Sequence, residues 1–168
     1  MRVTSSRVVY ENPWMRVHED RTERDDGTPG LYGWVEKPPA ALIVALEAGH
    51  TWLIEQLRHP LRKRFWEFPQ GTGAAEGEAL ARAELAEETG LRAARLECLG
   101  RIYYGYGLTD QGVDVWRATG LEAGEQDLDH AEQDLIARRF PVEEVERMVR
   151  GGVIQDASSI AAWYLATR

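Results

Sequence analysis

The sequence predicts an α+β fold in which a mixed β-sheet lies between helices, formed by one domain of 168 residues. Three observations support this prediction. Most of the first half is rich in β-branched and aromatic residues with rough apolar–polar alternation, as in strands. A segment in the middle is rich in alanine, leucine and glutamate, which favour a helix. Two further strand-like segments and two helical segments follow, and this order is typical of α+β domains.

The N-terminal elements are predicted to be strands joined by turns. "RVVYEN" and "WMRVHEDRTE" have the composition of strands, and the Asp-Gly and Pro-Gly pairs predict a turn over residues 24–30. Residues 31–37 form the next strand, which ends before two prolines. "AALIVALEAG" and "HTWLIEQLRHP" are apolar enough for the centre of a sheet, and we expect a hairpin that turns near residues 48–50.

The second half begins with the predicted helix, which starts near residues 77–79 and ends at Gly90, a residue suited to a helix C-terminus. "ARLECLGRIYYGYG" and "GVDVWRATGLEAG" return to strands. "PVEEVERMVRGG" is a short amphipathic helix with a proline at its start. The last helix lies in "DASSIAAWYLATR", with Asp156 or Ser158 as its N-cap.

Composition excludes several classes of protein. A net charge of −8 argues against broad electrostatic binding to nucleic acid or to anionic membranes. No apolar run approaches the roughly 18 residues of a membrane span, and the N-terminus lacks a signal-peptide core. The single cysteine, Cys98, excludes an internal disulfide and is expected to be a buried small apolar residue. A cytoplasmic protein is expected.

Three glutamates in the predicted middle helix lie on one face. Glu84, Glu87 and Glu88 fall within an arc of about 100° at 100° per residue. Like charges at these spacings destabilise a helix by a few tenths of a kcal/mol per pair, so we expect a compensating interaction. Mg²⁺ and Mn²⁺ prefer oxygen ligands and bridge carboxylates to phosphates. The alternative is a solvated acidic face, but the preceding glycine-rich loop favours a ligand site.

"FPQGTGAAEGEALARAELAEETGL" resembles the box of the Nudix hydrolase family, which is a glycine, five residues, Glu, seven residues, then Arg-Glu-apolar-X-Glu-Glu-X-Gly-apolar. The second half of the box matches at Glu84, Leu85, Glu87, Glu88, Gly90 and Leu91, and Gly71 matches its first glycine. Ala83 replaces the arginine that orients the box glutamates, and Arg82 points about 100° away. The loop before Glu84 is two residues shorter than in the family, so either Glu76 or Glu78 matches the early glutamate.

The resemblance implies an α/β/α sandwich with an additional N-terminal antiparallel sheet. It also implies metal-dependent hydrolysis of a nucleoside diphosphate linked to another group, with Mg²⁺ or Mn²⁺ as the cofactor. In that scheme Glu84 and Glu88 bind the metal, Glu87 binds metal or assists the base, and the carbonyl of Gln70 is a further ligand.

"IEQLRHPLRKRFWEFPQG" resembles the segment before the box in ADP-ribose and sugar-nucleotide pyrophosphatases. Arg58 would bind a substrate phosphate there, a role suited to its planar charged group. The same subgroup implies a catalytic carboxylate from a later loop, for which Glu132 is the best match and Asp134 the second. Trp34 and Tyr104 are candidates for binding the nucleotide, although aromatic side chains more often pack in the core.

The leading prediction is therefore a hydrolase of ADP-ribose or a related sugar nucleotide. A dinucleoside polyphosphate or nucleoside triphosphate hydrolase is the alternative within enzymes, and a nucleotide sensor that binds without cleaving is the alternative outside them. Residues 1–38 would form N-terminal strands that contribute to a homodimer, and residues 39–168 the Nudix core. The expected partner is a nucleotide-type small molecule.

Overall fold

The computed structural model describes residues 1–128 and 133–168. The chain forms two compact units. The first consists of Met1–Pro39 and Tyr103–Gly112, and the second of Ala40–Ile102 and Val113–Arg168.

The first unit is built on an antiparallel sheet with the strand order β1-β2-β3. Its strands are β1 (Arg2–Asn12), β2 (Met15–Glu23) and β3 (Pro29–Glu36). Nearly every residue of β1 is exposed. The turn predicted over residues 24–30 joins β2 to β3. The predicted N-terminal antiparallel sheet is thus confirmed.

The second unit contains a mixed sheet of seven strands, counted over the described residues. Its main order is β10-β5-β4-β9-β8, with β6 beside β5 and β7 beside β4. The strands β4 and β9 run parallel, whereas β5 pairs antiparallel with β4, β6 and β10. The bounds are β4 (Ala40–Glu47), β5 (His50–Arg58), β6 (Lys63–Glu67), β7 (Gln70–Gly71), β8 (Leu91–Tyr103), β9 (Gly112–Ala123) and β10 (Ile136–Pro141), and a 3₁₀ turn spans His59–Leu61.

Strand β4 is buried on both faces, and its side chains alternate between two hydrophobic clusters. Odd-numbered residues such as Ile43 pack in a cluster with α1 (Gly77–Thr89). Even-numbered residues such as Leu42 pack in a cluster with α2 (Val142–Arg150) and α3 (Ala157–Ala166). Helices therefore cover both faces of the sheet, as the predicted sandwich requires.

The strands and helices that the sequence predicted are all present, but three short strands were not predicted. The β7 strand has only two residues, while β6 and β10 contain charged residues that break the apolar pattern. The expectation that Cys98 is buried was wrong, because the residue is exposed on β8, which ends the strand order of its sheet.

Among the described residues, no helix has both the length and the apolar character needed to cross a membrane.

Candidate active site

Helix α1 carries the three predicted metal-binding glutamates and buries two of them. Leu80, Ala81 and Leu85 pack against β4 and fix the orientation of the helix. Glu84 and Glu88, one helical turn apart, are 8% and 1% exposed, whereas Glu87 is half-buried. The side chains of Glu84 and Glu88 are thus buried in the protein. This burial excludes the alternative that these two glutamates belong to a fully solvated acidic face.

The short strand β7 lies directly against these two carboxylates. The backbone N–H of Gln70 donates to Glu88 Oε2 at 2.9 Å. A Cβ atom placed on Gly71 would lie 2.6 Å from Glu84 Cδ, so only glycine leaves room for this carboxylate. The structure therefore places Glu88 against the backbone N–H of Gln70 and Glu84 against Gly71. Metal binding by these carboxylates and by the carbonyl of Gln70 stays a prediction.

A buried polar network lies on the other side of Gln70. Its side-chain amide donates to Glu67 Oε2 and to Asp156 Oδ2, both at 3.1 Å. Ser158 Oγ lies 3.1 Å from the Gln70 amide oxygen and 2.6 Å from Asp156 Oδ2, and its single proton serves one acceptor at a time. Asp156 also caps α3 by accepting from the N–H of Ser159 at 2.8 Å. Of the two N-cap candidates predicted for the last helix, Asp156 and Ser158, the structure shows Asp156 in that position.

Glu67 and Asp156 have opposite pKa shifts within this network. Burial raises the pKa of Glu67 despite the opposing effect of Arg58. Burial alone would also raise the pKa of Asp156. Hydrogen bonds from Ser158, Ser159 and Gln70 outweigh that effect and hold its pKa below the ordinary value. Hydrogen bonds to a charged carboxylate thus decide which of two buried acids ionises more readily.

Arg58, the predicted phosphate ligand, is bound to the buried Glu67. Its Nη2 and Nε atoms donate to Glu67 Oε2 at 2.6 and 3.3 Å. The side chain of Glu67 is 3% exposed, while that of Arg58 is 41% exposed. Arg58 therefore compensates the buried charge of Glu67. Because part of its side chain is exposed, Arg58 is also accessible to a substrate, and phosphate binding by this residue stays a prediction.

The arginine next to the box glutamates does not orient them. Arg82 donates to Glu78 at 2.6 and 3.0 Å and to the carbonyl of Ala93 at 2.7 Å. This agrees with the expectation that Arg82 points away from the face of Glu84 and Glu88. Glu78, one of the two candidates for the early box glutamate, is thus engaged with Arg82.

The carboxyl end of α1 is held by the segment after β9. Gly90 adopts φ 71°, and Gly124 N–H donates to its carbonyl at 2.7 Å. The Gln126 side chain donates to the carbonyl of Glu88 at 2.5 Å, and the N–H of Asp127 donates to that of Glu87 at 3.3 Å. These bonds satisfy helix carbonyls that lack a partner within the helix.

The structure describes only one of the two predicted catalytic carboxylates of the later loop. Glu132 lies outside the described residues, so its catalytic role stays a prediction. Asp134, the second candidate, is bound by Arg64, whose Nη1 lies 2.5 Å from its Oδ2. Arg64 also donates to Glu55 Oε2 at 3.1 Å, and this pairing ties Asp134 to the strands β5 and β6.

The donor set suits a divalent cation that is shared with a substrate. Within residues 1–128 and 133–168, no group of three or more His, Cys, Asp or Glu side chains is arranged to hold a metal ion. Mg²⁺ commonly uses only one or two carboxylates and completes its shell with water and substrate phosphates. Glu84, Glu88 and a backbone oxygen fit that pattern.

The two aromatic candidates, Trp34 and Tyr104, belong to the first unit. The Trp34 ring stacks on His18 with centroids 4.2 Å apart, and its Nε1–H donates to Asp20 at 3.0 Å. Tyr104 is 41% exposed in the segment before β9. The stacking of Trp34 gives it a structural role, and nucleotide binding by either residue stays a prediction.

Sequence reasoning missed Glu67 and the link between Gln70 and Asp156. The signal for Glu67 was a lone carboxylate inside the apolar run "WEFP", three residues before Gln70, whose backbone is a predicted metal ligand. Asp156 was predicted only as a helix cap. Its contact with Gln70 joins residues 86 positions apart, which local patterns do not reveal.

Comparison with known proteins agrees with this geometry. The family model described as NUDIX domain matches residues 36–164, and the one described as nucleoside diphosphate sugar hydrolase N-terminal domain matches residues 1–35. The chain is 36% identical over 162 residues to an ADP-ribose pyrophosphatase of Mycobacterium tuberculosis (strain ATCC 25618 / H37Rv), covering 94% of this chain and 78% of that protein. It is 28% identical over 158 residues to an ADP-ribose pyrophosphatase of Bacillus subtilis (strain 168), covering 92% and 85%.

A solved structure also has the same fold. The crystal structure of an ADP compounds hydrolase matches with a TM-score of 0.85 at 20% identity, over 98% of this chain and 90% of that one. The similarity in structure confirms the predicted sheet-and-helix arrangement. The NUDIX family model covers more than half of the sequence. The chain belongs to the Nudix family.

Proposed function

We propose that this Nudix protein hydrolyses the pyrophosphate bond of ADP-ribose or a related sugar nucleotide with the help of Mg²⁺ or Mn²⁺. The observation that carries the proposal is the pair of buried carboxylates, Glu84 and Glu88, held against the backbone of Gln70 and Gly71. The activity of the two relatives supports this class of substrate. The chain is a pyrophosphohydrolase, so the sensor alternative is not supported.

Glu84, Glu88, Glu87 and the carbonyl oxygen of Gln70 would hold the cation. When bound, a divalent cation neutralises phosphate charge and lowers the pKa of a coordinated water. The residues of the chain supply the geometry. The N–H of Gln70 fixes one oxygen of Glu88, and the lack of a side chain at Gly71 leaves space for Glu84.

The remaining proposed residues act on the substrate and on the attacking water. Arg58 donates to a phosphate oxygen, while Trp34 and Tyr104 contact the nucleoside. Glu87 or Glu132 accepts the proton of the water, whose oxygen forms a bond to phosphorus. The phosphorus–oxygen bond of the anhydride breaks, and the products are a nucleoside monophosphate and a phosphorylated remainder.

Turnover of a substrate panel with and without metal tests the proposal. The panel contains ADP-ribose, other sugar nucleotides, dinucleoside polyphosphates and nucleoside triphosphates, each with Mg²⁺, Mn²⁺ or a chelator. We expect cleavage of ADP-ribose or a sugar nucleotide only with metal. Loss of a residue that merely supports a ligand costs about 10- to 100-fold, so we expect Glu88→Gln to cost at least about 100-fold.

Glu122→Gln is the matched control, because Glu122 is exposed on β9. It should retain wild-type turnover. Preferred cleavage of a dinucleoside polyphosphate or a triphosphate would reassign the substrate. Full activity in chelator, or in Glu88→Gln, would contradict the metal site.

The proposed assembly is a homodimer formed through the N-terminal strands, in a cytoplasmic protein. Strand β1 exposes Val3, Val8, Val9 and Tyr10, all between 46% and 54%. Such apolar exposure on a strand favours contact with another surface. Light scattering should give twice the mass of the chain, and Val8→Glu should shift it toward the monomer. A wild-type monomer would overturn the proposal, and cell fractionation tests the location.

A further inference from the structure

The box of this protein lacks the arginine that would orient its glutamates. Ala83 occupies that position, and the neighbouring Arg82 is bound to Glu78 and to the carbonyl of Ala93. A carboxylate that binds metal needs a fixed orientation, because the groups behind a ligand tune its affinity. The bond from Gln70 N–H to Glu88 Oε2 supplies one such constraint.

The side chain of Gln70 is itself fixed by two carboxylates. Its amide nitrogen carries two protons, and Glu67 and Asp156 each accept from it at 3.1 Å. A reversed amide would place its oxygen against both carboxylates, so the orientation is determined. Gln70 is 7% exposed, and such a buried amide strongly constrains the local backbone when its bonds are made.

Both carboxylates are in turn anchored to rigid elements. Glu67, at the end of β6, is bound by Arg58 at the end of β5. Asp156 caps the N-terminus of α3 through Ser159 N–H. The position of β7 is thus defined by two strands on one side and a helix on the other.

We propose that the Gln70 side chain is a positioning residue for Glu88. By joining Glu67 to Asp156 it fixes β7, so that the N–H of Gln70 holds Glu88 in the orientation that binds metal. This network takes the place of the absent arginine. The inference rests on the proposed function, because it requires Glu88 to be a metal ligand.

Binding of Mn²⁺ without substrate tests the inference independently of turnover. Gln70→Met keeps the length of the side chain and removes both donors. We expect about 10-fold weaker Mn²⁺ binding, measured from the free Mn²⁺ signal in paramagnetic resonance titrations. Gln70→Glu adds a third carboxylate to the network and should weaken binding more. Gln155→Met is the matched control, since Gln155 is exposed, and it should bind as the wild type does.

A double variant separates positioning of Glu88 from a general structural effect. If Gln70 acts through Glu88, adding Gln70→Met to Glu88→Gln causes no further loss of Mn²⁺ affinity. Equal losses in both backgrounds would overturn the inference, as would wild-type binding by folded Gln70→Met. Wild-type Mn²⁺ binding by Glu88→Gln would instead refute the metal role of Glu88 and with it this inference, whereas the proposed hydrolysis is tested separately by turnover of the substrate panel. Melting curves and circular dichroism establish that each variant is folded.

Discussion

Replacement of Gly71 by alanine should displace Glu84 with little effect on the backbone. The added Cβ would lie 2.6 Å from Glu84 Cδ and closer still to a carboxylate oxygen. Gly71 does not have a positive φ, so alanine introduces no left-handed strain there. The substitution therefore acts mainly on a predicted metal ligand.

The size of the displacement follows from the contact distance. Ordinary van der Waals contact begins at 3.4 Å, so the carboxyl carbon must move by about 0.8 Å. A misplacement of about 1 Å at a reacting centre can cost about 100-fold in rate. We expect kcat to fall by roughly that factor, while the melting temperature changes by only a few degrees, since one kcal/mol shifts it by about 2–4 °C.

The assay is metal-dependent hydrolysis of the best substrate of the panel, with melting curves for each variant. Gly73→Ala is the matched control in the same loop. Its Cβ would meet the end of the flexible Leu80 side chain at 3.2 Å, which a small rotation relieves. We expect it to keep turnover within about two-fold of the wild type. Wild-type kcat in Gly71→Ala would refute the placement of Glu84 against β7.

Two further predictions concern charges outside the carboxylate pair. Arg58→Met should destabilise the protein by about 2 kcal/mol, because it leaves the buried Glu67 without this partner. This loss is smaller than that expected for a fully buried ion pair, since Arg58 is partly solvated. Urea unfolding would check this, and adding Glu67→Gln should recover part of the loss; unchanged stability would contradict the pairing. Glu146 accepts from Trp163 Nε1–H at 2.9 Å, and this bond, with Arg150, lowers its pKa. Its stabilising effect should be present at neutral pH and lost as pH falls through that lowered pKa. The wild type should therefore exceed Glu146→Gln in urea midpoint at about pH 7, and the difference should shrink as pH falls below about 4.3, the ordinary pKa of a glutamate.

The sequence predicted the parts of this site that depend on local spacing. Glu84 and Glu88 are one turn apart on a helix rich in strong helix formers, so their common face follows from helix geometry. The burial of that face did not follow, because it depends on how α1 packs against β4 and β7. Strand β10 was missed for a related reason, since it gains its strand conformation from pairing with β5 across the sheet. Tertiary contacts of this kind override local propensity.

The role of Arg58 shows why a residue's chemistry and its position must be considered together. From the sequence, a guanidinium group near the box suggested a phosphate ligand, because arginine suits phosphate geometry. In the structure its first contact is the buried Glu67, and the pair of opposite charges attracts an anion less than a lone arginine would. In a chain with a net charge of −8, attraction of a diphosphate then depends more on a bound cation. Burial of Glu84 and Glu88 beside β7 would place that cation where the proposed chemistry needs positive charge.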